Sequence, residues 1–424
     1  MKRNILVFPC GSEIGLDIYS SVCNSIHFHL IGASSVDDHG RFVYDDYIPD
    51  IPFVTEESFI PTLSRIVKER NVDAIYPTMD LVITILKENE SVLGCKIVSS
   101  SLETTRICLS KETTYNILNG IVKVPRVYDP DNIPPEAFPI FAKPIIGYGS
   151  KNTKILPSQE DVNFFLKGQD GFLLLEYLPG EEYTVDCFTD KEGCLLYSAA
   201  RLRTRIKAGI SMNTSFVEDQ TEFEQLAHTI NSRIPFRGAW FYQVKRDKNG
   251  ALCLMEIASR LGGSSLLSRA VGVNFALLSL FDLFDYPVQV DKNSYNVELD
   301  RALETRYKTD LVFDVVYCDY DDCLILDNDS INLDLIKFLY KCVNLRKRLV
   351  LLSKHDGNLR DELYRFRLDH LFDEVIHIEQ GAQKIDYIHN AKSIFIDDSY
   401  AERRLVKDKL HIPVFSPDML DVLV

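Results

Sequence analysis

Four groups of residues have the types and spacing to do chemistry. In residues 252–263, LCLMEIASRLGG, an apolar run ends in Glu256, with Arg260 and a glycine pair just beyond. Upstream, residues 238–245 (GAWFYQVK) alternate as a strand until Gln243 breaks the pattern. Neighbouring strands presenting Gln243 and Glu256 side by side would offer oxygen ligands to Mg²⁺, a hard cation that keeps substrate phosphates in its shell. The same pattern also describes a hairpin with one wet face. A third group is Lys143, at the end of the strand-like IFAKP, followed at once by IIGYGSKN with Gly147, Gly149 and Ser150. A strand lysine can neutralise one phosphate while loop amides cover others; read structurally, it is a surface hairpin with a charged flank. The fourth group is C-terminal. An apolar strand, residues 311–318, runs into Asp319 and Asp321, later strands end at Ser353 and at Asp397 and Asp398, and Lys384 opens a helix between them. Carboxylates at i and i+2 point the same way from a strand's C-terminal end, where a doubly wound sheet carries its chemistry.

Further side chains could complete a nucleotide site. The apolar strand at residues 171–177 is followed by a Leu-Pro-Gly hinge, which leaves backbone donors and acceptors for a base. Just past the hinge, Glu182 could take ribose hydroxyls. Arg201, Arg203 and Lys207 line the next strand, either as a solvated edge or as cations for phosphates or a substrate carboxylate.

Bulk properties narrow the function classes. With 424 residues, 46% hydrophobic and 26% charged, the chain reads as a soluble globular protein of two or three domains. A formal net charge of -15 argues against a nucleic-acid partner, whose footprint is a basic stripe. A small phosphorylated ligand remains compatible, since it needs only local cations and amides. The 10 cysteines are scattered, with no CxxC pair and no zinc spacing, which points to free thiols in a reducing cytoplasm. The N-terminal MKRNILVFPCG is too short in its apolar run for a signal peptide, and no stretch has the length of a membrane span.

The positioning elements follow from periodicity. Strands at residues 4–8, 27–33, 72–77 and 96–100 alternate with helices to residue 24, at 57–69 and at 80–89. This βαβ rhythm makes a small open α/β domain ending near residue 100. A helix over residues 104–118 carries Lys111, a proline-rich connector spans 125–139, and a short amphipathic helix covers 222–230. Residues 291–309 are polar and read as a linker to the last domain.

In this order the pieces resemble the ATP-grasp superfamily, in particular its carbamoyl-phosphate-synthetase-like carboxylate ligases, over residues 1–290. The likeness rests on AKPIIGYGSKN, LLEYLPGEEYTVD, YQVK and MEIASRLGG. It implies that Lys111 and Lys143 hold ATP phosphates with Gly147, Gly149, Ser150 and Arg203, and that Glu176 and Leu178 present hinge backbone to adenine. It also implies that Glu182 takes the ribose, that Gln243 and Glu256 ligate one or two Mg²⁺ ions, and that Arg260 steadies the γ-phosphoryl or acyl phosphate. The superfamily usually reads Glu-x-Asn-x-Arg, whereas Ala258 stands at the asparagine place, so water, Ser259 or a single ion would have to compensate. Residues 311–424 resemble the haloacid dehalogenase-like phosphatases. That likeness makes Asp319 the nucleophile, Asp321 the acid/base, and Ser353 and Lys384 the phosphate holders. One Mg²⁺ would sit on Asp319, the Asp321 carbonyl and Asp397 or Asp398.

The expected architecture is therefore α/β and α+β multidomain. It has a small open α/β domain (1–100), an ATP-grasp domain (101–300) and a C-terminal doubly wound Rossmann-like domain (310–424). The implied activity joins a carboxylate–amine ligase to a phosphatase of a phosphorylated metabolite, in small-molecule, sugar or capsule biosynthesis, in a chain that could dimerise. The alternative keeps the phosphatase and makes the nucleotide module regulatory, and Ala258 favours it.

Overall fold

The computed structural model describes residues 2–147, 151–207, 209–303, 306–307, 309–327, 329–379 and 381–423. Two compact units divide the chain, Met1–Leu303 and Glu304–Val424. Among the described residues no helix is long and apolar enough to cross a membrane.

The first unit begins with five parallel strands, β1 (Arg3–Phe8), β2 (Phe28–Ala33), β3 (Tyr47–Ile48), β4 (Val72–Pro77) and β5 (Lys96–Ile97), in the order β3-β2-β1-β4-β5. Both faces are apolar, as a parallel sheet covered on two sides requires: Leu6, Ile31 and Ile75 enter one core, Ile5, Val7 and Ala74 another. The turn after β1 is tight. A Cβ on Gly15 would meet the Cys10 carbonyl at 2.3 Å, so glycine alone lets the helix Glu13–Val22 start there, with Ser12 accepting from the Gly15 N–H. The second core also takes in Phe188, Ala239, Phe275 and Leu280. The N-terminal sheet thus shares apolar surface with later residues, and residues 1–303 cluster as one body.

A four-stranded sheet follows, β6 (Val127–Tyr128), β7 (Ile140–Pro144), β8 (Lys154–Leu156) and β9 (Phe172–Glu176), antiparallel in the order β6-β9-β7-β8. The third sheet holds β10 (Glu182–Thr189), β11 (Leu195–Lys207), β12 (Ile210–Phe216), β13 (Gly238–Arg246), β14 (Leu252–Ala258) and β15 (Glu298–Asp300), in the order β14-β13-β10-β11-β12-β15. Val185, Trp240, Tyr242 and Ile257 pack against Phe223, Ala227 and Ile230 of the helix Thr221–Asn231. The period of two turns Glu182, Thr184, Gln243 and Glu256 to the other face. There the buried Arg201 donates to Asp186 at 2.6 Å and to the Gly263 carbonyl, which ties down the glycine turn after β14. Buried pairing of this kind offsets a desolvation cost of several kcal/mol per ion.

Two local expectations change. The single helix over residues 104–118 is two, Leu102–Leu109 and Lys111–Leu118, because Ser110 leaves helical geometry and caps the second by accepting from the Thr113 N–H. The cap makes Lys111 the first residue of its helix. The supposed linker at 291–309 contains β15, an edge strand whose backbone pairs with β12 and whose sequence, ELD, has no apolar pattern to reveal it.

The second unit has β16 (Val315–Cys318), a hairpin of β17 (Ile325–Leu326) and β18 (Ser330–Ile331), then β19 (Arg348–Ser353), β20 (Glu374–His377), β21 (Ser393–Ile396) and β22 (Val414–Phe415). The main sheet is parallel in the order β20-β19-β16-β21-β22. Apolar clusters built on Val316, Leu351 and Ile396 and on Tyr317, Val350 and Phe395 cover its two faces. The chain leaves β16 to one side and returns to the other, which creates a topological switch point at the C-terminal ends beside β16. The expected strand at 311–318 is strand only from Val315, and the helix expected at Lys384 is a single 3₁₀ turn, Lys384–Tyr387.

Candidate functional site

In the first unit the four-stranded and six-stranded sheets enclose a cavity of about 330 Å³ lined by Lys111, Lys143, Gly147, Glu176, Leu178, Glu182, Arg203, Gln243 and Glu256. The pairing of β13 with β14 sets Gln243 directly opposite Glu256. A register shift follows Gln243, and the carbonyl of Met255 there accepts from the Tyr115 hydroxyl at 2.7 Å and from Lys143 Nζ at 3.3 Å. Lys143 Nζ also lies 3.3 Å from Glu256 Oε2, and Lys111 Nζ donates to the Gly147 carbonyl at 2.9 Å. Burial pushes the Glu256 carboxyl up, but Lys143, Lys111 and Arg260 outweigh it and hold the group below the usual carboxylate range. Burial and the neighbouring Lys143 lower the Lys111 ammonium, against the pull of Glu256. Two ammoniums sharing one carboxylate leave a surplus positive charge facing the cavity, which suits an anion with several oxygens.

At the other end of the cavity, the Glu176 N–H is spent on the Arg126 carbonyl at 2.8 Å, whereas among the described residues the Leu178 N–H has no backbone acceptor. Glu182 and Arg203, expected at ribose and phosphates respectively, are paired with one another, and Arg203 also donates to the Gly209 carbonyl. Gly149 and Ser150 lie outside the described residues. Arg260 does not line the cavity. Its guanidinium is held by Asp80 through Nε at 3.0 Å and Nη2 at 2.9 Å, over the Phe241 ring at 5.2 Å. Ser259 is buried just past the end of β14 and does not line the cavity, so it is not placed to replace the missing asparagine. Gln243 and Glu256 therefore fit a single Mg²⁺ ion that takes the rest of its shell from ligand phosphate and water.

The second unit gathers its residues at the switch point. Asp319 follows β16, Asp397 follows β21, and Lys384 stands between them, its Nζ 2.8 Å from Asp319 Oδ1 and 2.6 Å from Asp397 Oδ2. All three are buried, whereas Asp398 is exposed. Carboxylate oxygens of Asp319, Asp397 and Asp398 lie within 4.8 Å of one another, a donor set that suits a hard divalent cation. Burial pushes the Asp319 carboxyl up to about 7, with Asp397 adding to the rise and Lys384 opposing it. Ser353 closes β19 fully buried, its Oγ accepting the His355 N–H at 3.1 Å. Asp321 turns to His355, whose Nδ1 is 2.8 Å from Asp321 Oδ1. Among the described residues between Cys323 and Ser353 the chain forms the β17–β18 hairpin, the helix Leu333–Asn344 and β19, with no inserted domain.

A family model described as "ATP-grasp in the biosynthetic pathway with Ter operon" matches residues 169–310. A search of curated proteins finds no match. Among solved structures, a biotin carboxylase complex with β,γ-ATP from Campylobacter jejuni is similar with a TM-score of 0.58 at 16% identity, over 68% of this chain and 72% of that one. A carboxyaminoimidazole ribonucleotide synthase from Aspergillus clavatus complexed with ATP gives 0.56 at 16% identity, over 68% and 78%. An N5-carboxyaminoimidazole synthetase from Staphylococcus aureus complexed with ADP gives 0.55 at 14%, over 68% and 79%. The shared part exceeds anything the second unit could supply. The first unit has the ATP-grasp fold.

Within the ATP-grasp unit the sequence reading missed three groups that shape the site. Asp80 fixes Arg260, and it could have been found as the carboxylate just past the C-terminal end of β4. Tyr115 holds the Met255 carbonyl, which no sequence signal announces. Lys245 lines the cavity two residues along β13 from Gln243, where strand alternation returns it to the same face. In the second unit the missed residue is His355, two positions past the strand-end serine.

Proposed function

We propose that the chain is a bifunctional enzyme: an ATP- and Mg²⁺-dependent carboxylate–amine ligase in the ATP-grasp unit, joined to a Mg²⁺-dependent phosphatase of the haloacid dehalogenase type. The observation that carries the ligase is Lys143 bonded to Glu256, with Gln243 opposite, at one end of a cavity whose other end presents the Leu178 N–H, which has no backbone acceptor among the described residues. ATP would lie with its base against Glu176 and Leu178 and its phosphates toward Lys111, Lys143 and the glycine loop. A substrate carboxylate oxygen attacks the γ-phosphorus, and the bond to the β,γ-bridging oxygen breaks, its electron pair leaving with ADP. The amine then attacks the acyl carbon and gives up a proton, and phosphate departs. The lysines act by fixing and neutralising the polyphosphate.

In the second unit Asp319 attacks the phosphorus of a monoester while Asp321 protonates the leaving oxygen. Water then opens the aspartyl-phosphate and Asp321 takes back a proton. Lys384 and Ser353 hold the phosphoryl oxygens. Mg²⁺, when bound, supplies charge neutralisation at either phosphate. The pairing of activities fits a small-molecule pathway in which a phosphorylated metabolite is ligated and then released, in line with the biosynthetic setting named in the family model's description.

The test gives purified protein ATP, Mg²⁺ and panels of acids and amines, with ADP and product mass as readouts. ATP binding without ADP from any pair counts against ligation. For the phosphatase, Asp319→Asn must abolish phosphate release while leaving ATP binding intact. A second reading, nucleotide binding without ligation, draws on Ala258, which is buried at the place of the third metal donor.

A further inference from the structure

We propose that His355 is the positioning residue for Asp321, holding its carboxyl in line with the leaving oxygen; this rests on the phosphatase reading of the second unit. Asp321 sits on a turn past β16 and is partly exposed, so nothing in its own backbone limits it to one rotamer. The contact that does so is the 2.8 Å bond to His355 Nδ1. His355 is itself held from three sides. Its N–H donates to Ser353 Oγ at 3.1 Å, its carbonyl meets His377 Nε2 at 2.8 Å, and its ring stands edge-on to Tyr320 with centroids 5.0 Å apart. The supports come from β19, β20 and the turn after β16, three neighbours in the sheet. One residue thereby links, through its backbone N–H, the Ser353 hydroxyl proposed to hold phosphate and, through its ring, the carboxyl proposed to deliver a proton. A group fixed in this way loses little freedom when the ester binds, which is where a precisely aimed proton donor gains rate.

The consequence depends on the leaving group. Breaking the P–O bond of p-nitrophenyl phosphate needs little help from an acid, because the departing phenolate is stable. An alkyl phosphate such as glycerol 3-phosphate must receive its proton as the bond breaks. Mis-aiming Asp321 therefore penalises the alkyl ester selectively, whereas general damage to the fold penalises both alike.

Full-length protein with Mg²⁺ is assayed on both esters as wild type, His355→Ala, His355→Asn, Asp321→Asn and Asp319→Asn. His355→Ala should lower kcat on the alkyl ester about 10- to 100-fold, within the range general acid catalysis supplies. Its KM should stay unchanged, and p-nitrophenyl phosphate should lose less than about threefold on the same grounds. His355→Asn, whose amide N–H falls near the Nδ1 position, should restore most of the alkyl rate and keeps the test valid if the alanine variant folds poorly. Adding His355→Ala to Asp321→Asn should cost nothing more. Equal losses on the two esters, unchanged rates in His355→Ala, or full additivity with Asp321→Asn would overturn the positioning role while Asp319-dependent release keeps the phosphatase reading. Release from neither ester by wild type, or release that survives Asp319→Asn, would overturn the phosphatase reading and the positioning role with it.

Discussion

Replacing Lys143 by Met should weaken ATP binding while sparing adenosine. The substitution keeps the apolar stem and removes one charge beside Glu256. In the folded chain Lys143 Nζ stands 3.3 Å from Glu256 Oε2, so the variant loses the proposed phosphate donor and also the nearest counter-charge to a carboxylate at the same end of the cavity. A hydrogen bond from an ionised donor contributes about 1.5–3 kcal/mol, which is about 10- to 150-fold in Kd. Uncompensated Glu256 facing phosphate pushes the effect toward the upper end, although Lys111 and Arg260 still act on that carboxyl. Titration calorimetry with ATP and with adenosine separates the contributions, since only ATP reaches the lysine end. A Kd for ATP that rises less than about threefold, below the range for a charged hydrogen bond, refutes the placement of phosphates there. So does an equal loss for adenosine, which would mean that the cavity itself has changed shape.

Three further outcomes follow from the geometry. Burial, opposed by Arg301, raises the Asp17 carboxyl from 3.8 to about 6, so between those values the folded chain keeps a proton that the unfolded chain has released. Stability must fall as pH rises through that window, by about 3 kcal/mol in all; denaturant melts of Asp17→Asn should lose this part of the slope, and parallel profiles for variant and wild type would contradict it. Ala258→Asn puts an amide oxygen on the face of Glu256, two residues along β14. It should tighten the Mg²⁺ dependence of ADP formation at about 1–3 kcal/mol of overpacking, and a stably folded variant with unchanged Mg²⁺ dependence would show that the vacancy does not limit the site. Chelation by EDTA should abolish phosphate release by the second unit yet leave measurable ATP binding to the first, and the reverse pattern would count against both charge assignments.

How far the sequence reveals the site depends on how local each cause is. The parallel sheets were legible because their strands are continuous apolar runs, and Gln243 opposite Glu256 was legible because each interrupts such a run. The ATP-grasp fold followed from several such signals in one order. What stayed hidden is made by backbone or by distant partners. Ser110 splits a helix through its cap, β15 pairs with β12 without an apolar pattern to announce it, and Asp80 reaches Arg260 across 180 positions of sequence. Glu182 and Arg203 were assigned to two parts of a ligand because the sequence offers no sign that they face each other across β10 and β11. Charge type was readable at every one of these positions. Partner choice was not, since it depends on sheet register and on turns that periodicity does not encode.

Both units set lysines against carboxylates, and the opposite balance of charge makes the two clusters opposite kinds of site. Around Glu256 one carboxylate is shared by Lys143 and Lys111, with Arg260 adding to the same field. The surplus is positive, and a polyphosphate is attracted before any cation arrives. Around Lys384 one ammonium is shared by buried Asp319 and Asp397, with Asp398 beside them. The surplus is negative, and a phosphate dianion approaching it meets repulsion that low dielectric amplifies. Burial drives Asp319 toward the protonated form, yet the nucleophilic role proposed for it requires the ionised carboxylate. A divalent cation in that donor set answers both demands, since it offsets the approaching phosphate and favours the ionised carboxylate. The buried lysine alone can meet neither, because its single charge is already divided between two carboxylates.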